Sequence, residues 1–171
     1  MKSEKLNYDI NNLDLAAEFI LNNSLYHMIL FKADLGVGKT TLIKEICKKI
    51  GTIDNVVSPT FAILNIYKNE DDLIYHMDLY RVENLKDLNE LGFFDIIEEK
   101  NWIFIEWPDN FEKVFNKDHT LIEIKLENEI NLVFDFGGST LKTNIFNDIN
   151  ISEVKFKLQL HLKPRHHLTY L

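Results

Sequence analysis

Between an apolar run and an amphipathic segment, residues Ala33 to Thr41 read ADLGVGKTT, and no other stretch restricts the fold as tightly. Ahead of it, His27-Met28-Ile29-Leu30-Phe31 reads as a buried strand. Behind it, Leu42, Ile43, Ile46, Cys47 and Ile50 recur at helical spacing. Strand, glycine-rich turn and helix in that order make the unit that carries a phosphate-binding loop. Gly36 and Gly38 let the backbone curl until successive N–H groups face one anion. The helix start adds unpaired N–H groups and the positive end of its dipole. In this reading Gly36, Gly38, Lys39 and Thr40 surround nucleotide phosphates. Lys39 reaches the β and γ phosphates, and the Thr40 hydroxyl holds Mg2+ beside them.

The chain departs from the pattern G-x-x-x-x-G-K-[ST] at its first position, where Ala33 replaces glycine. A methyl group there costs little while the residue keeps negative φ, and disfavours only left-handed backbone.

With 171 residues, 46% of them hydrophobic, the chain is expected to form one domain with a substantial core. No apolar run approaches the roughly 18 residues that span a bilayer, and MKSEKLNYDINN lacks the apolar stretch of a secretory signal. The expected location is the cytoplasm. Cys47, the sole cysteine, sits on the apolar side of its helix and reads as a core residue. A formal net charge of −8 disfavours a chain that grips nucleic acid by itself.

The expected architecture is an α/β, P-loop NTPase-like three-layer α/β/α sandwich whose mixed sheet is partly antiparallel. Leu6 to Ile10 reads as a short strand. Asn11 or Asn12 then caps a helix with Leu13, Ala16, Ala17, Ile20 and Leu21 on its apolar side. After the loop and its helix, Phe61 to Tyr67 and Leu73 to Asp78 read as a hairpin, and Leu85 to Ile97 as a helical segment broken at Gly92. Trp102 to Ile105 reads as a buried strand ending in Glu106, and 121–126 with 131–136 as a hairpin turning near Asn128. The P-loop domain is therefore drawn as 1–136, with 137–171 a C-terminal extension without assigned structure. Asp135-Phe-Gly-Gly-Ser139 with Lys142 is read as a hairpin turn in place of a second phosphate motif.

A nucleotide hydrolase needs a carboxylate near its metal, and the carboxyl end of a buried strand holds one beside the waters on Mg2+. Glu106 follows four large apolar residues and fits that place. Asp78 ends another strand, and reads either as a second acidic partner or as a turn cap. Thr60, after Ser58-Pro59, is either a sensor of the γ-phosphate or a strand-initiating hydroxyl. His76 reads as a half-buried hydrogen-bonding residue, since no second His or Cys stands at ligand spacing.

LGVGKTT, SPTF at Ser58 to Phe61, YHMDLYR at Tyr75 to Arg81, ELGFFD at Glu90 to Asp95 and IEWPD at Ile105 to Asp109 follow one another in an order and spacing that resembles the TsaE (YjeE) family. The resemblance spans roughly Leu6 to Phe136. It implies a small P-loop ATPase that binds ATP with Mg2+ and acts with the TsaB and TsaD proteins. That pair installs N6-threonylcarbamoyladenosine beside the anticodon of tRNAs reading codons that start with A. The resemblance further implies that ATP hydrolysis resets or licenses the TsaB–TsaD complex, and that tRNA is met only through the complex, with no membrane and no DNA. Carried over by motif, Asp34, Leu35, Gly36, Val37, Gly38, Lys39, Thr40 and Thr41 bind the phosphates, Lys39, Asp78 and Glu106 serve hydrolysis, Thr40 and Glu106 hold Mg2+, and Thr60 lies in a nucleotide-sensing loop. Trp107 supports the site or the partner surface.

Two rivals have weaker support in the residues. A small-molecule kinase commonly uses several arginines on two phosphate-bearing substrates, whereas Arg81 is the one arginine before Arg165. A guanine-specific switch uses N-K-x-D, and Asn116-Lys117-Asp118-His119 ends in His. A nucleotide-dependent binding module with negligible hydrolysis stays open. Residues Leu6 to Asn12 are a source of adenine contacts.

Overall fold

The computed structural model of the chain describes residues 3–70, 72–115, 118–126 and 130–137. Its elements run β1 (Ser3–Tyr8), α1 (Leu13–Asn23), β2 (Met28–Ala33), α2 (Lys39–Ile50), β3 (Leu64–Lys68), β4 (Leu73–Asp78), α3 (Leu85–Glu90), α4 (Phe93–Ile96), β5 (Trp102–Glu106), β6 (His119–Leu126) and β7 (Ile130–Gly137). Among the described residues the strands form one sheet in the order β1-β7-β6-β2-β5-β4-β3. The middle four, β6, β2, β5 and β4, are parallel. β3 closes one side antiparallel to β4, and β7 and β1 close the other antiparallel to their neighbours.

Strand alternation builds a core on each face. Ile29 and Phe31 of β2 join Ala16, Ala17 and Ile20 of α1 and Leu42, Ile43, Ile46 and Cys47 of α2 in one cluster. Met28 and Leu30 join Leu88 of α3 and Phe93 and Ile96 of α4 in the other. This is the expected three-layer α/β/α arrangement around a mixed sheet. Cys47 is buried in the first core, and burial pushes its thiol up to about 12. No helix of the described residues is long and apolar enough to cross a membrane.

Local structure departs from the sequence expectations in three places. The first strand is Ser3–Tyr8, not Leu6 to Ile10, because its pairing with β7 begins at Ser3 opposite Asp135. Asn12 is the N-cap residue of α1, as expected, but its side chain makes no capping bond; those bonds come one turn earlier from Asp9, whose Oδ1 accepts from Asn11 N at 2.7 Å and Asn12 N at 3.2 Å and starts a 3-10 turn, Ile10–Asn12, that leads into α1. The strand expected from Phe61 begins only at Leu64. A tight turn precedes it, closed by Ile63 N donating to Pro59 O at 2.6 Å with Ile63 at φ 66, and Phe61 is left 85% exposed. The turn near Asn128, the pair Asn116-Lys117, and residues 138–171 lie outside the described residues, and with them nearly all of the C-terminal extension.

Candidate functional site

Parallel pairing brings the carboxyl ends of β2, β5 and β4 level. Phe31 stands opposite Glu106, and Glu106 opposite Asp78. Ile74 of β4 and Phe104 of β5 belong to the core beneath α1 and α2. Two residues further along each strand, His76 and Glu106 keep to that face, and Asp78 follows His76 at the same spacing. Alternation alone thus delivers one imidazole and two carboxylates beside the head of α2.

The loop from β2 into α2 follows the glycine requirement of the sequence. Gly36 has φ 79 and Gly38 has φ 98, so both are left-handed. A Cβ on Gly36 would meet nothing within 4 Å, and one on Gly38 only Thr41 Cβ at 4.0 Å. Glycine is needed here for its backbone angle, not for space. The first helical bond runs from Leu42 N to Gly38 O at 3.0 Å, so the amides of Lys39, Thr40 and Thr41 have no acceptor within the helix. Leu35 is 85% exposed and Thr41 is exposed as well, so neither side chain is committed to the core. Ala33 is the last residue of β2 and has negative φ, since Ile63 and Trp107 are the described non-glycine residues with positive φ. The Ala33→Gly variant is therefore expected to bind ATP within about threefold of the parent chain by calorimetry; a gain of tenfold or more would show a backbone conformation that the methyl group obstructs.

Lys39 lies folded over its own loop. Its Nζ donates to Ala33 O and Asp34 O, each at 3.0 Å, and stands 3.7 Å from the centroid of the Trp107 ring. The side chain is only 5% exposed. Burial lowers the pKa of the ammonium, opposed by the carboxylates of Glu106, Asp78, Asp34 and Asp109. Trp107 holds this position at φ 59, with its main-chain N–H donating to Phe31 O at 3.3 Å and its ring centroid 5.0 Å from that of Tyr80.

The Thr40 hydroxyl donates to Glu106 Oε1 at 2.7 Å, and His76 Nε2 lies 2.9 Å from the same oxygen. The neighbouring hydroxyl and carboxylate are both hard oxygen donors. Among the described residues no group of three or more His, Cys, Asp or Glu gathers to cage a metal. One hydroxyl and one carboxylate beside an amide-lined loop suit Mg2+, which is usually held by one or two side chains, water and substrate phosphates. The residues fit that ion.

Asp78 is buried, and both its oxygens are engaged. Thr60 Oγ1 donates to Oδ2 at 2.7 Å, and Tyr80 N donates to Oδ1 at 3.0 Å. The second contact is the turn cap anticipated for an aspartate at a strand end. Thr60 does not initiate a strand, because β3 begins at Leu64. Its hydroxyl proton goes to Asp78, so Ser58 Oγ, 2.7 Å away, is the donor to Thr60. Three residues went beyond what the pattern of residues suggested. His76 is wholly buried, where half-burial was expected, and meets Glu106; the i, i+2 spacing to Asp78 on one strand was the available signal. Ser58 and Tyr80 act through turn geometry, for which the sequence carries no spacing rule. Leu6 and Tyr8 have their side chains in the core, which leaves Asn7 and Asp9 to Asn11 as the exposed residues of the segment considered for adenine.

A family model described as threonylcarbamoyl adenosine biosynthesis protein TsaE matches residues 8–132. The tRNA threonylcarbamoyladenosine biosynthesis protein TsaE of Rickettsia typhi is 34% identical over 144 residues, covering 77% of this chain and 97% of that protein. The protein of the same name from Borreliella burgdorferi is 30% identical over 118 residues, covering 68% of this chain and 82% of its own. The crystal structure of Bacillus subtilis YdiB superposes with a TM-score of 0.65 at 21% identity, covering 94% of this chain and 96% of that one. At that identity the likeness speaks for the fold alone.

Proposed function

The chain belongs to the TsaE family of threonylcarbamoyl adenosine biosynthesis proteins, and on that premise we propose that it is a slow Mg-ATPase serving N6-threonylcarbamoyladenosine modification of tRNA. ATP binding and hydrolysis regulate its association with TsaB and TsaD in the cytoplasm, and those partners carry the tRNA. The observation that carries this reading is the 2.7 Å contact between Thr40 and Glu106 at the head of an amide-lined loop, with Asp78 level on the next strand.

The residues divide the work. Main-chain amides of 34–41 and the Lys39 ammonium grip the triphosphate. Thr40 and Glu106 hold Mg2+, which when bound supplies charge neutralisation on the transferring phosphoryl group. Asp78 orders the attacking water through a carboxylate oxygen. Each Asp78 oxygen already has one protein donor and keeps a second acceptor site for water. The Thr60 hydroxyl thus ties the segment around Ser58 and Thr60 to the carboxylate that orders water, which supports turnover gated by that segment. It equally supports the alternative of a nucleotide-dependent binding module with negligible hydrolysis. A small-molecule kinase has less support, since Arg81 is stacked 4.7 Å over the Phe61 ring and no second arginine occurs before Arg165.

A pull-down of TsaB–TsaD with this chain in ATP, in ADP and without nucleotide tests the reading. Recovery is expected to differ at least about fivefold between ATP and nucleotide-free conditions, the usual span of an allosteric coupling. Failure to associate in all three, together with phosphate transfer to a small-molecule acceptor, would establish the kinase instead.

A further inference from the structure

The imidazole of His76 is wholly buried, and of its two nitrogens only Nε2 has a partner, Glu106 Oε1 at 2.9 Å. Nδ1 is buried without a hydrogen-bond partner. These facts fix the tautomer. With the proton on Nδ1, a buried N–H would stand unpaired while the bare Nε2 lone pair faced a carboxylate oxygen, two penalties at once. With the proton on Nε2, the N–H donates to Glu106, and only a weak acceptor is left alone.

Glu106 Oε1 therefore receives two donors, the Thr40 hydroxyl and the His76 ring. Oε2 receives no hydrogen bond among the described residues. Two donors on one oxygen fix the carboxylate's rotation about its terminal bond, and the other oxygen is left to meet a water on the metal. Thr40 can perform only part of this. Its hydroxyl sits in the first turn of α2, on the loop's own helix and outside the sheet. His76 sits in the interior of β4, paired to Asn65 on one side and Phe104 on the other, so its donor is anchored in the sheet.

We propose that His76 is a positioning residue: a sheet-anchored Nε2–H donor that clamps Glu106 Oε1 and reserves Oε2 for the hydration shell of the nucleotide-bound Mg2+. This rests on the Mg-ATP reading of the site. Loss of an outer hydrogen-bond partner of a metal-binding side chain typically weakens metal affinity or activity by about 10- to 100-fold. Two ring-sized or chain-length substitutions separate the donor from the bulk. Phenylalanine keeps the ring and removes the N–H, while glutamine keeps an N–H donor at similar reach.

Calorimetry with ATP at a series of Mg2+ concentrations, and with ATP in chelator, reads the clamp directly. His76→Phe is expected to raise the Mg2+ concentration for half-maximal enhancement of ATP binding by about tenfold or more. Its affinity for ATP in chelator should stay within about threefold of the parent chain, and His76→Gln should recover most of the Mg2+ response. An unchanged Mg2+ response in His76→Phe overturns the clamp alone, whereas a parent chain that takes up no ATP overturns the assignment of the whole site. Should the phenylalanine variant not fold, ring nitrogen NMR on the unaltered protein decides the matter. A single Nε2–H tautomer, kept on adding Mg-ATP, is the expected signature, and an Nδ1–H tautomer or an averaged pair of signals overturns the clamp.

Discussion

Lys39→Ala is expected to bind Mg-ATP about 100-fold more weakly than the parent chain while folding normally. In the structure the ammonium is held by two main-chain oxygens of the loop, Ala33 O and Asp34 O, at the mouth of the amide cradle. On a triphosphate the same group makes charge-assisted bonds of about 1.5–3 kcal/mol each. Losing roughly 3 kcal/mol corresponds to about two powers of ten in Kd. The fold should tolerate the change, because burial already disfavours the charged form of this side chain and lowers its pKa. Calorimetry gives the affinity, and a thermal midpoint within a few degrees of the parent's verifies the fold. Unchanged affinity in a folded variant would mean that the loop does not grip phosphate with this lysine.

The second large effect separates binding from turnover. Asp78→Asn keeps an oxygen for the Tyr80 amide and keeps the side-chain shape, but removes the negative charge that Thr60 now faces. Steady-state ATP hydrolysis is expected to fall by about 100-fold or more, the usual contribution of a positioned acid or base. Affinity for ATP should stay within about threefold. Equal hydrolysis rates in the two proteins would reject a hydrolytic role for Asp78 and leave it as the cap of the turn after β4.

Strands, helices and their order were legible wherever hydrophobic periodicity or glycine placement is dictated by burial. The loop from Ala33 to Thr41 follows from left-handed glycines ahead of an amphipathic helix, and Glu106 from four apolar residues that must lie inside the sheet. The neighbourhood of Asp78 was less legible. Whether its carboxylate faces water, a metal or a turn depends on parallel pairing of β4 with β5 and on the turn at Thr60 to Ala62, and neither has a local signature. The false start of β3 at Phe61 has the same origin. An apolar aromatic favours strand by propensity, yet the tight turn closed on Pro59 O leaves Phe61 in solvent. The capping bonds of Asp9 were missed for another reason: an aspartate two and three residues ahead of two asparagines offers three chemically similar caps, and only the 3-10 turn chooses among them.

One feature of the sheet bears on how such a chain comes to exist. β1, its first described strand, is stitched to β7, its last described one, with Ser3 opposite Asp135. On the ribosome the amino-terminal strand must wait, its edge unsatisfied, until almost the whole domain has been synthesised. Contacts of such long sequence separation are slow to form, and a waiting strand edge invites pairing with other chains. Truncation before residue 130 should consequently yield a product that aggregates instead of a smaller working domain, even though it would already contain the phosphate loop and both carboxylates.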